Sequence, residues 1–371
     1  MLVSDWAAAW GETAARTIRD PLSSGWMTDD DTRRTENVPS PSGLFLRLFL
    51  LPALPLPMSE STPPNEREIN NTGPHRTVFL DGEFMERGDA KVSAFDASIQ
   101  HGVGLFETMR ALTTDDGVVV EYMDEHLDRI QSSASTLGLS DEIKTGPLGD
   151  AIVQTVKEAR YGHTRVRLTI TGGDLNMLAS TGRSNHRPTV MIHAQPATQY
   201  PDEMFINGIT ATLAGARANP LDPTAGHKTL NYWWRLRELQ DAAAKGAGEA
   251  IVFQVSNHLC GGCVSNLFVV KNNELITPIA QGEEKPVEGK ITLPSPVLPG
   301  ITRLKLIEYA KEMGIGVSKR MMTIDDLLGA DEVLLTNSSW RVLPVVRIEA
   351  EEVGGGVPGE VGRKLRERFV G

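Results

Sequence analysis

Lys228 is the only lysine between Lys157 and Lys245, and it lies in the segment Ala225-Gly-His-Lys-Thr-Leu-Asn-Tyr-Trp-Trp-Arg235. An amine just ahead of an aromatic-rich, helix-patterned run is suited to partial desolvation. That lowers its pKa and lets it serve as nucleophile or base. Read alone, such a residue is more often a surface lysine preceding a helix, so its companions decide.

Three further features suit an anion. Leu298-Pro-Gly-Ile-Thr-Arg303 is a glycine-containing turn that opens a helix, so the N–H groups of Ile301 and Thr302 and the Thr302 hydroxyl can bind phosphate. Thr336-Asn-Ser-Ser339 ends a strand with clustered hydroxyls, and Arg129 stands beside apolar Leu127 and Ile130 with a fork suited to a bidentate phosphate contact. Singly, Thr302 is also a helix cap and Arg129 a solvated side chain. A lysine nucleophile combined with a phosphate cup is what pyridoxal phosphate requires.

The elements that must position these residues read as α+β with mixed sheets. A hairpin turns at Asp81-Gly82, residues 104–112 alternate as a half-buried strand, and a helix runs over 124–138 with Leu127, Ile130, Ala134 and Leu137 on one face. Strands follow at 164–171 and 189–193, separated by a loop over 172–188 that is long enough to cover a site and carries Arg183 and His186. Beyond 208 the pattern is strand, the Lys228 loop, a helix through Tyr232 and Leu239, and strands at 250–255, 264–271 and 275–277. A helix over 301–313, a strand at 315–319, a short helix behind a Thr323/Asp326 capping box, a strand at 332–336 and a helix over 360–369 complete the chain.

The 371 residues suit two domains. Expected are a disordered extension over 1–76, a smaller domain over 77–195, a linker over 196–207 and a larger cofactor-binding domain over 208–371. The apolar run over 43–57 carries Arg47 and three prolines, which argues against a membrane span, and Met58 behind it suggests a native start there. A net charge of -11 argues against a nucleic-acid partner, and two cysteines are too few for a disulfide framework. A soluble protein of a reducing, cytoplasmic compartment is expected, with neither nucleic acid nor membrane as partner.

Taken in order, Gly102-Val-Gly-Leu-Phe-Glu-Thr-Met-Arg110, His126-Leu-Asp-Arg-Ile130, His227-Lys-Thr-Leu-Asn-Tyr232, Cys263-Val-Ser-Asn-Leu-Phe-Val-Val-Lys271, Thr277-Pro278 and Leu298-Pro-Gly-Ile-Thr-Arg303 resemble the class IV aminotransferases. This family of fold type IV pyridoxal-phosphate enzymes includes branched-chain and D-amino acid aminotransferases and aminodeoxychorismate lyase, and the resemblance spans about residues 77–350. It implies a two-domain fold resembling D-amino acid aminotransferase, and a homodimer with the site between the domains. Lys228 becomes the lysine that bonds the cofactor aldehyde, Arg129 a phosphate-binding arginine, and Ile301 and Thr302 the phosphate cup, with Asn337 and Ser338 at its second edge. Tyr232 would bond the cofactor's phenolic oxygen, although it stands one residue closer to the lysine than in the branched-chain pattern. Phe106, Thr108 and Arg110 would face the substrate, an amino acid or 2-oxo acid.

One position departs from the family pattern. Five residues before the Asn of the Ser-Asn-Leu-Phe motif the family carries a glutamate that keeps the cofactor's ring nitrogen protonated; here the residue is Gly261, inside Cys260-Gly-Gly-Cys263. Glu249 begins the preceding strand and substitutes only with a register shift. A charge-assisted hydrogen bond of that kind is worth roughly 1.5–3 kcal/mol, so its loss leaves three readings. These are slower transamination, a chemistry such as β-elimination that needs less ring delocalisation, or a carboxylate or water delivered from elsewhere; a lyase that releases pyruvate and a cofactor-binding protein with weak catalysis are the alternatives to an aminotransferase. Cys260 and Cys263, with His258 nearby, form a possible redox pair, while a metal site is not expected because no second ligand pair accompanies them.

Overall fold

In a computed structural model of the chain, residues 75–174, 187–286, 288–289 and 291–370 are described. The expectations for residues 1–57 and for Arg183 and His186 lie outside these residues. The first part of the chain contributes β1 (Val78–Leu80), β2 (Glu83–Met85), α1 (Ala97–His101), β3 (Gly104–Thr114), β4 (Gly117–Val120), α2 (Met123–Thr136), α3 (Thr145–Ala159), β5 (His163–Thr171) and β6 (Val190–Pro196). Its six strands pair in the order β2-β1-β6-β5-β3-β4, antiparallel at every contact.

The pleat sorts side chains to two faces. Along β5, Thr164, Val166 and Leu168 are buried while Arg165 and Arg167 are only partly so. The buried face meets Leu127, Ile130 and Ala134 of α2 and Ile152 and Val156 of α3. Fully burying aliphatic side chains of this size contributes about 1.5–3 kcal/mol each. Helix α3 was not anticipated: Gly146, Pro147 and Gly149 crowd its first turns, yet Ile152, Val156 and Ala159 supply the buried stripe that tertiary contact rewards.

The remainder comprises α4 (Glu203–Ile206), β7 (Ile209–Ala218), α5 (Trp233–Ala244), β8 (Glu249–Gln254), β9 (Leu259–Gly262), β10 (Asn266–Lys271), β11 (Glu274–Thr277), α6 (Ile301–Glu312), β12 (Gly316–Lys319), α7 (Ile324–Leu328), β13 (Glu332–Asn337), β14 (Arg341–Ile348), β15 (Glu351–Glu352) and α8 (Glu360–Val370). Eight of these strands follow the order β12-β11-β10-β13-β14-β7-β8-β9, with β15 alongside β14. This sheet is mixed: β7 runs parallel to both β14 and β8, and β11 parallel to β12. The expected capping box opens α7. Strand β14 went unanticipated because Pro344 demotes a strand reading; here Pro344 opposes Leu334 in the sheet.

The Lys228 loop joins the two sheets. Phe106 N–H donates to the Lys228 carbonyl at 2.9 Å, and Leu230 N–H to the Gly104 carbonyl at 3.0 Å. That approach requires glycine at 104, since a Cβ there would stand 2.7 Å from Leu230 Cδ1 and 2.8 Å from the Ile170 carbonyl.

Candidate active site

A cavity of about 520 Å³ collects Lys228, Arg129, Tyr232, Phe106, Thr108, Ile301, Thr302, Asn337 and Ser338 along its walls. Arg110 is not among its lining residues. It donates to the Ser339 carbonyl at 3.0 Å and faces Glu121 at 3.7 Å, so it braces the 337–340 turn from behind instead of facing a substrate.

Lys228 is half-buried, with Nζ 4.3 Å from the centre of the Phe106 ring and 5.5 Å from that of Tyr232. Its neighbour His227 meets Ser133 Oγ at 2.9 Å through Nδ1 and Gln281 Nε2 at 2.9 Å through Nε2. The amide nitrogen can only donate, so Nε2 accepts and Nδ1–H donates to Ser133. Burial also lowers the His227 pKa, which suits this neutral form. The loop is thus held by its backbone on one side and by an imidazole on the other. Tyr232 caps the start of α5 and meets Phe106 edge to face at 5.2 Å. Burial alone would raise its phenol; the Lys228 and Arg235 charges outweigh burial and hold it below the ordinary value.

The anion cup is built where α6 begins. Gly300 is its N-cap and carries no side chain to satisfy the first-turn N–H groups, which leaves those donors for a ligand. A Cβ on Gly300 would collide with Asn266 Oδ1, and Asn266 Nδ2 fixes the incoming chain at the Leu298 carbonyl, 2.8 Å away. Arg129 Nε and Nη2 grip the two Glu107 carboxylate oxygens at 2.8 and 2.6 Å, and Nη1 donates to the Pro299 carbonyl at 2.9 Å. These three bonds leave two of its five N–H donors free beside the cup. Burial opposes ionisation of Glu107, but Arg129 and the His126 ring, 2.7 Å away, outweigh it and hold the carboxyl at about 2.

Asn337 is spent locally: its oxygen accepts from Ser339 N–H and Trp340 N–H and its nitrogen donates to the Val264 carbonyl. It therefore shapes the second edge of the cup while Ser338 offers the hydroxyl. Thr336 Oγ1 and Ser265 Oγ, both on the cavity wall, are buried without a partner among the described residues. Among the described residues lining the cavity there is no aspartate or glutamate. A donor-rich, acid-free wall with orphaned hydroxyls fits a phosphate ester, and Lys228 in the same cavity fits an aldehyde, so the residues present fit pyridoxal phosphate.

Several contributors escaped the sequence reading. Arg165 and Arg167 reach the cavity from β5, with Arg167 directly opposite Thr108 and its guanidinium 3.7 Å from the Phe106 ring centre. Burial, then the Arg165 charge, pushes Arg167 down to about 10. Their signal was the alternation of β5, which places 165 and 167 on one face but does not say which face the cavity takes. Arg235, Thr198 and Tyr200 also line the cavity.

Gly261 lies on the cavity wall, where a Cβ would come within 2.8 Å of the Ser265 carbonyl. Glu249 does not replace the missing acid. Its Oε1 accepts from the N–H groups of Cys263 and Val264, and burial pushes the carboxyl up to about 7. Cys260 and Cys263 are buried free thiols. Burial raises both, and with the nearby Glu249 charge takes Cys263 to about 12. A redox pair needs accessible thiolate, so this wall is poorly suited to one. In the folded protein both thiols are expected to react with an aromatic disulfide reagent roughly 10³-fold more slowly than in the urea-unfolded chain. Stopped-flow absorbance checks this, and comparable rates would restore the redox reading.

The sequence profile of the class IV amino-transferases matches residues 104–348. A protein of Methanocaldococcus jannaschii provisionally named a branched-chain-amino-acid aminotransferase is 32% identical over 292 residues, covering 79% of this chain and 94% of the relative. The D-alanine aminotransferase of Bacillus licheniformis is 28% identical over 290 residues, 78% of this chain and 94% of the relative. The crystal structure of the Escherichia coli branched-chain amino acid aminotransferase aligns with a TM-score of 0.71 at 27% identity, covering 80% of this chain and 94% of that one. The chain belongs to the class IV aminotransferases and has the fold of that family. It is therefore a pyridoxal-phosphate-dependent aminotransferase.

Proposed function

We propose that the enzyme moves an amino group between a branched-chain or D-type amino acid and a 2-oxo acid, with Lys228 as the catalytic residue. The observation that carries this reading is the joining, in one acid-free cavity, of a half-buried lysine to the donor cup of Gly300, Ile301, Thr302 and Ser338. When bound, the cofactor supplies a ring that accepts the electron pair released at the substrate's α-carbon. Lys228 would hold the cofactor through its aldehyde carbon, with loss of water, and once a substrate amine has displaced it would move the proton between the α-carbon and the cofactor's C4′ carbon. Ile301, Thr302 and Ser338 bind the phosphate, with Arg129 adding two N–H donors and Asn337 holding the turn. Tyr232 offers its hydroxyl to the cofactor's phenolic oxygen. Phe106 and Thr108 face the substrate, with Arg165 and Arg167 available to its carboxylate.

We also assign residues 77–195 and 208–371 to two domains joined by a linker over 196–207. We carry over to this chain the homodimer that the family resemblance implies. Among the described residues no helix is long and apolar enough to cross a membrane, and the two free thiols suit a reducing, cytoplasmic compartment.

A half-reaction panel tests the reading. L-leucine, D-alanine or L-glutamate mixed with stoichiometric holoenzyme is expected to convert the cofactor to its pyridoxamine form, and the responding donor fixes the substrate class. Pyruvate release without that conversion would establish the lyase alternative, and the absence of both would leave a binding protein.

A further inference from the structure

Arg235 lines the cavity from the first turn of α5, against Gly262 and Cys263 and on the same wall segment as Gly261. Its Nη1 finds only carbonyl partners there, Cys263 at 3.2 Å and Gly262 at 3.4 Å. The acids that could neutralise it are turned elsewhere. Glu238, one turn along α5, accepts from the backbone N–H groups of Gly215 and Ala216, and Glu249 turns Oε1 to those of Cys263 and Val264 while its Oε2 has no hydrogen-bond partner, Arg235 included, among the described residues. Arg235 is thus a cation on the wall with no carboxylate against it among the described residues.

That wall adjoins the anion cup. Gly300 packs on Asn266, and the carbonyl of the preceding Ser265 lies against Gly261. In pyridoxal phosphate the carbon bearing the aldehyde and the carbon bearing the phosphate arm are ring neighbours, and the ring nitrogen lies directly across from the aldehyde carbon. With the aldehyde at Lys228, whose backbone is bonded to β3, and the phosphate arm at Gly300–Thr302, the nitrogen faces away from Lys228. It would then be held on the side of the cavity lined by Asn266, Gly261 and Arg235.

We propose that Arg235 occupies the ring-nitrogen wall in place of an acid, so that this enzyme holds its cofactor with the ring nitrogen unprotonated. The inference rests on the cofactor placement proposed above. A guanidinium remains protonated throughout the folded range, so it disfavours a second positive charge beside it and can instead donate a hydrogen bond to a neutral ring nitrogen. Of the other titratable groups near this wall, Lys228 is itself a cation, Arg129 is neutralised by Glu107, and Glu249, which burial pushes up to about 7, stands outside the cavity lining.

The test uses holoenzyme reconstituted with ring-15N-labelled pyridoxal phosphate, with the nitrogen shift followed across pH. Borohydride attachment to Lys228, read by peptide mass, confirms the placement separately. The wild type is expected to show the neutral-pyridine shift at neutral pH. Arg235→Gln should raise the apparent ring-nitrogen pKa by about one unit or more, and Arg235→Lys should stay near the wild type. A protonated-ring shift in the wild type overturns the proposal, and so does a folded Arg235→Gln variant whose ring titrates as in the wild type. Should Arg235→Gln fail to fold, the wild-type shift decides alone. Failure of the label to reach Lys228 would instead overturn the cofactor placement itself.

Discussion

Replacing Lys228 with alanine is expected to lower the rate of amino transfer by about 10²–10⁴-fold, the range by which a positioned proton-transfer group accelerates its step. The protein should still fold, because the loop is held through the Lys228 carbonyl and the Leu230 N–H, neither of which the substitution removes. Circular dichroism verifies folding, and single-turnover absorbance with the responding amino acid measures the loss. Borohydride treatment should no longer attach cofactor to the chain. A Lys228→Ala enzyme within tenfold of the wild-type rate would remove this residue from the chemistry.

The second large effect belongs to the ion pair behind the cup. Arg129→Ala leaves Glu107 buried with His126 as its remaining side-chain partner. Breaking a buried pair in this way costs about 3–5 kcal/mol of stability. The same variant loses its donors at the cup, so cofactor affinity falls with stability. A double-mutant cycle with Glu107→Gln separates the two effects: stability losses should be strongly non-additive, while the double variant still binds cofactor weakly. Additive losses, measured by urea titration, would mean that the pair is not coupled. The pH dependence follows in sign. The folded Glu107 carboxyl sits at about 2, below its ordinary 4.5, so the folded state binds fewer protons than the unfolded chain between those values. Its contribution is complete above about pH 4.5 and disappears as pH falls towards 2; Glu107→Gln should flatten that part of the acid-unfolding curve.

Most of the cup was legible because its parts are local. Gly300 ahead of an apolar-patterned helix, and Thr336-Asn-Ser-Ser339 after an apolar strand, declare their geometry within a few residues. The partners that define charge were not legible. Glu107 is separated from Arg129 by a hairpin, and nothing in the intervening sequence says that the two side chains meet. Arg110 shows the complementary error: its alternation with Phe106 and Thr108 placed it on the same face, but Glu121 and the Ser339 carbonyl draw it away from the cavity. Asn337 likewise read as a donor to a ligand, yet its side chain is consumed by its own turn. Among the strands, Pro344 concealed β14, because a sequence pattern cannot reveal which neighbouring carbonyls the backbone needs.

Phe106, Thr108, Arg165 and Arg167 line the cavity from β3 and β5 of the first sheet, while Gly300, Ile301, Thr302 and Ser338 line it from the second part of the chain. The Lys228 loop belongs to the second part of the chain and is bonded through its backbone to β3 of the first sheet. Descent with modification can therefore revise what the enzyme accepts by exchanging residues on two strands, without touching the residues that anchor its coenzyme. A lineage with this arrangement can change diet while keeping its chemistry.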